Sequence, residues 1–72
     1  MAYTLFDTDT GNALESFSDE GAAFDAVRDA VVRFGLDVAD PWILVTVTPS
    51  GERRVIAEGR ELVARAGVIA AQ

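Results

Sequence analysis

The run Asp7-Thr8-Asp9-Thr10-Gly11-Asn12 is where this sequence comes closest to chemistry. Its carboxylates, hydroxyls and glycine permit three catalytic or binding readings. An aspartate after a buried strand can attack phosphorus. That chemistry needs a domain about twice this length or more, and a basic residue, commonly lysine, which the chain lacks. Asp9-Thr10-Gly11 matches the triplet of aspartic proteases, which pair two such aspartates so that they share a proton. A homodimer could supply the pair, yet Asp7-Thr8 stands where apolar residues belong before the triplet. A calcium loop of the EF-hand kind wants glycine at its sixth position and glutamate at its twelfth. Counted from Asp7, those positions hold Asn12 and Ser18. None of the three is complete, and a short match without its context is a weak signal. The run is read as a hairpin turn. A small hydrolase assembled by dimerisation around Asp7 and Asp9 stands as the alternative.

Elsewhere the means for catalysis are sparse. Without histidine, cysteine or lysine, the usual nucleophile–base pairs cannot be built, so the chain is read as a non-enzyme. Glu52, Glu58 and Glu61 could hold a divalent cation only loosely, with no softer ligand to help; no metal or cofactor is expected. Arg53 and Arg54, near Arg60 and Arg65, form a candidate basic patch for an acidic partner or a phosphate. The competing reading is an edge strand guarded by charge. Tyr3 and Trp42 are either a contact surface, where aromatics are favoured, or members of the core.

Composition narrows the partners. The 72 residues are half apolar, which argues for an ordered single domain near the lower size limit for an unaided core. Twelve carboxylates oppose six cations, all arginine, for a net charge of −6. That balance argues against direct nucleic-acid binding and suits a basic protein partner or simple solubility. No apolar run has the roughly 18–20 residues of a membrane span, and no signal peptide is read at the start, so a cytoplasmic protein without membrane attachment is expected.

The strongest element signal is the stretch Ser18 to Leu36. Ala23, Phe24, Val27, Ala30, Val31 and Phe34 recur at helical spacing, with Asp25, Arg28, Asp29 and Arg33 opposite. Ser18 is expected to cap this helix, Asp19 and Glu20 to complement its dipole, and Gly35 to end it with Leu36 folded back on Val31. Ala2 to Thr8 and Ala13 to Phe17 are expected strands around a turn at Gly11. Trp42 to Thr48 and Arg53 to Ala57 are expected strands around a turn at Gly51. A short helix over Gly59 to Ala66, with Leu62, Val63 and Ala66 inward, precedes an apolar tail from Val68 to Gln72.

The halves echo each other, Tyr3 and Gly11 matching Trp42 and Gly51 in order. A right-handed crossover through the first helix leaves a gap that strand 1 fills. The expected fold is α+β, ββαββα, with a four-stranded antiparallel sheet of order 2-1-3-4 and two helices on one face; residues 1–67 make the domain. Two helices cover one face only, and Trp42 to Thr48 is apolar on both. One apolar set is therefore uncovered unless the tail Val68 to Ala71 folds back over it, and Tyr3, Leu5, Trp42 and Leu44 are the candidate interface, with a homodimer the expected use.

The segment from Phe17-Ser18-Asp19-Glu20-Gly21-Ala22-Ala23 through Ala30-Val31 resembles the strand-to-helix passage of HicB-type antitoxins, where a Ser/Thr-Asp/Glu cap leads into an alanine-rich helix on a small sheet. The proline-glycine segment those proteins carry before the helix is missing here. The chain is also similar to short acidic proteins of GC-rich bacteria. The antitoxin resemblance implies neutralising a basic toxin by direct contact. The expected function is thus a small acidic protein-interaction module, antitoxin-like or inhibitor-like. A structural subunit of a larger complex is a further possibility.

Overall fold

A computed structural model describes residues 2–67 of the chain. The expected tail from Val68 to Gln72 lies outside the described residues. The chain runs β1 (Tyr3–Asp7), β2 (Asn12–Phe17), α1 (Glu20–Phe34), a 3-10 turn (Leu36–Ala39), β3 (Trp42–Val47), β4 (Arg53–Glu58) and α2 (Arg60–Arg65). The four strands form one antiparallel sheet in the order β2-β1-β3-β4, so the two most apolar strands take the centre. Both helices lie on one face of it, closing a core of Leu5, Leu44 and Ala57 against Ala23, Val27, Val31, Leu62 and Val63.

Each hairpin is set by its turn. Gly11 and Gly51 have φ of 74° and 89°, a region glycine enters without steric cost. The Gly11 N–H donates to Asp7 O at 2.7 Å, and the Gly51 N–H to Thr48 O at 2.8 Å. Both hairpins carry a β-bulge. Between Leu5 and Phe6 the partner strand skips Leu14, and between Leu44 and Val45 it skips Ile56. An extra residue shifts the inward–outward alternation of its strand, so that Ile56 and Ala57 both serve the core side.

α1 begins one residue later than the sequence suggests. Asp19 is the N-cap, its Oδ1 accepting the Ala22 N–H at 2.7 Å. Ser18 is outcompeted because Phe17 is still held in the ladder opposite Tyr3, and the chain needs Ser18 to turn out of the sheet. Asp29 and Arg33 pair at 3.3 Å on the exposed side. Ala23, Val27 and Val31 are buried and Phe24 is half-buried, but Phe34 is 73% exposed. The expected stripe therefore stops at Val31. Gly35 ends the helix with its N–H on Val31 O at 2.8 Å, but its ψ of 167° is not that of a Schellman motif. The 3-10 turn then fills this end of the core with buried Ala39 and half-buried Leu36 and Val38.

Arg65 ties the second helix down. Its Nη1 donates to Ile56 O at 2.8 Å, its Nη2 lies 3.4 Å from Glu20 Oε1, and its guanidinium sits 5.4 Å from the Phe24 ring centroid. One side chain thus joins α2, β4 and α1.

Candidate interaction surface

The face of the sheet away from the helices follows from the register. Thr4 pairs with Ser16 on one side and Val45 on the other, and Val45 with Val55. Next to that row, Ala13, Phe6, Ile43 and Glu58 stand in line. On its other side Val47 faces Arg53. Because Leu5 and Leu44 point into the core, alternation puts these neighbours on the outer face. The contact of Thr4 Oγ1 with Ser16 Oγ at 3.2 Å agrees. Phe6, Ile43, Val45, Val47 and Val55 make a continuous apolar surface. Val55 is 52% and Val47 49% exposed. Phe6 and Ile43 are half-buried, and Val45 is buried.

This corrects the expected interface. Leu44 is fully buried and Leu5 4% exposed, under the helices. Tyr3 and Trp42 pack half-buried against the same core. The set Tyr3, Leu5, Trp42 and Leu44 is the inner face; the outer face is the alternate set. The sequence leaves both options open because Leu5 and Phe6, like Leu44 and Val45, are apolar neighbours. The repeat does not decide between them, because Thr4-x-Phe6 and Ile43-x-Val45 are equivalent in the two halves just as Tyr3-x-Leu5 and Trp42-x-Leu44 are.

The expected basic patch is also divided. Arg53 lies opposite Val47 and Arg54 opposite Thr46, so the two arginines project from opposite faces of β4. Arg60 sits near Asp40 at 3.4 Å and Asp37 at 3.8 Å, and Arg65 is engaged as described. Neither Arg53 nor Glu58 has an ion-pair partner among the described residues. They stand at the two ends of the outer face of β4.

The aspartate run is a turn. Asp7 Oδ1 accepts the Asp9 N–H at 2.9 Å, and Asn12 N–H points to Thr10 Oγ1 at 3.3 Å. Thr8 locks this turn to the start of β3, its N–H and its hydroxyl both donating to Pro41 O at 2.7 and 2.6 Å. Among the described residues no cluster of three acidic side chains is placed to hold a metal ion, and no helix is long and apolar enough to cross a membrane. No family model, curated protein or solved structure matches the chain.

Proposed function

We propose that this chain is a small acidic protein-interaction module that acts by direct binding through the outer face of its sheet, in the manner of an antitoxin or an inhibitor. The observation that carries the reading is the apolar set Phe6, Ile43, Val47 and Val55 around buried Val45, on a face that neither helix covers. Contiguous exposed apolar surface on a small protein marks a place where something docks. The net charge of −6 favours a protein partner over the phosphates of nucleic acid. The likeness of Phe17 to Val31 to the strand-to-helix passage of HicB-type antitoxins supports the same class of function. As part of this proposal the module works in the cytoplasm and is no enzyme: the Asp7 carboxylate is already used within its turn.

The test compares the full chain with a Val55→Asp variant as bait, after circular dichroism has established that both melt cooperatively. The wild type is expected to retain bound protein, copies of itself included, that the variant loses. Identical retention by both would overturn the assignment to this face.

A further inference from the structure

The charge pattern of the outer face points to its occupant. The chain as a whole carries −6, a value that makes copies repel one another. The outer face is an exception. Its strand residues are Thr4, Phe6, Ala13, Ser16, Ile43, Val45, Val47, Arg53, Val55 and Glu58; among them Arg53 and Glu58 are the charged ones, so the face is neutral. Among the described residues neither of these two charges has an ion-pair partner, and they sit at opposite ends of one strand.

That arrangement is self-complementary. We infer that the outer face takes a second copy of this chain, related by a two-fold axis along the row Thr4–Val45–Val55, with Arg53 of each copy against Glu58 of the other. A two-fold in that position lays β4 antiparallel over β4 of the other copy and stacks Val45 and Val55 near their own counterparts. It also turns the row of Phe6, Ile43 and Glu58 over the row of Val47 and Arg53. The bulky Phe6 then comes down at the end of the second row at Ala2, the residue before β1, so that large lies over small. Two sheets packed in this way sit about 10 Å apart with their strands nearly aligned, a gap that an arginine and a glutamate bridge together.

The size of the face sets the strength. Four strands about 4.8 Å apart, each five or six residues long at about 3.3 Å per residue, give a footprint of roughly 350 Å² per copy. Standard interfaces bury about 800 Å² per partner, so the dimer is expected to be weak.

This inference rests on the reading of the outer face as a docking surface, and sedimentation equilibrium on the full chain from about 1 µM to about 1 mM tests it separately. The wild type is expected to approach twice the monomer mass. Arg53→Glu and Glu58→Arg should each weaken association about tenfold or more, since either places like charges together at both ends. An equimolar mixture of the two variants should recover the wild-type affinity, because each then supplies what the other lacks. A wild type that stays monomeric throughout would overturn the two-fold dimer. So would single variants that associate like the wild type, or a mixture no tighter than its components. A monomeric chain whose Val55→Asp variant still loses a different bound protein would end the dimer and leave the docking surface standing. Should either reversal unfold the chain, Arg53→Gln and Glu58→Gln take its place, each expected to weaken the dimer by a smaller factor and to recover in part on mixing, because the mixed dimer keeps one Arg53–Glu58 pair.

Discussion

The two halves of this molecule are built alike and held differently. Each is a hairpin with a positive-φ glycine in its turn, a bulge at the equivalent point of its ladder, and a helix returning over the same face. Leu5 meets Leu44 at the middle of the ladder that joins them, so the halves are related by a local two-fold through that pair. The helices are where they part. α1 has fifteen residues and a side-chain cap from Asp19. α2 has six, follows Gly59 as its N-cap, and has no side-chain cap. A helix that short is unstable alone, so α2 exists because Leu62 and Val63 are buried and Arg65 is tied down. One topology is therefore supported by local signals in the first half and by tertiary contacts in the second.

The contrast can be broken most sharply at Leu62. It is fully buried, and Leu62→Ala is expected to cost about 2–5 kcal/mol, a large share of the stability of a domain this small. Denaturant melts should show a smaller loss for Val27→Ala, which removes less from a helix with its own support. A Leu62→Ala chain as stable as Val27→Ala would mean α2 does not depend on its contacts.

The turns test the likeness of the halves. Gly11 and Gly51 have open space where a Cβ would go, so alanine at either should cost only the backbone strain, about 1–2 kcal/mol, and equally. Gly21, inside α1, should tolerate alanine better, since its φ is ordinary and a Cβ there would meet only Asp19 Oδ1 at 3.3 Å. Unequal losses at Gly11 and Gly51 would break the equivalence of the hairpins.

Caps come next. Asp19→Ala should cost about 1 kcal/mol, read as a shift in urea midpoint, while Ser18→Ala should be close to neutral. A smaller effect than the loss of the Asp19 cap is expected at Arg65. Its replacement by methionine keeps some packing but removes the Glu20 and Ile56 contacts and the charge over Phe24, for about 0.5–1 kcal/mol. Hydrogen exchange should report that loss in α2 ahead of α1; uniform loss across both helices would show that Arg65 does not act as the local tie.

The order of elements and the strand order were legible because turns, helical spacing and crossover handedness each constrain them independently. Which face the helices cover was not. Leu14 and Ile56, the residues that shift the alternation of β2 and β4, are apolar and fit either side, so nothing in their type marks a bulge. The buried stripe of α1 stops short of its expected length for a related reason. Phe34 has the spacing of the stripe, but Gly35 stops the helix at once, and the core is completed by Leu36 and Ala39 from a segment that reads as a connector. For the outer face, the apolar residues were visible in the sequence, whereas the division of Arg53 from Arg54 and the pairing of Arg53 with Val47 needed the register of β3 with β4.

The central ladder has a consequence for the order of assembly. β1 and β3 are the innermost strands, yet Tyr3 pairs with Thr46 and the Thr46 hydroxyl donates to Ala2 O across 44 residues at 2.8 Å. Both hairpins close over short loops, but this seam requires a long closure before its contacts repay it. During synthesis the inner edge of β1 waits, with its backbone groups unpaired, until β3 emerges. A second chain at the same stage offers the same edge, and the Leu5–Leu44 ladder can form between chains as well as within one, with the segment from Gly35 to Asp40 as the hinge. Refolding at high concentration should therefore slow, or yield exchanged dimers, at the joining of the halves rather than at either hairpin.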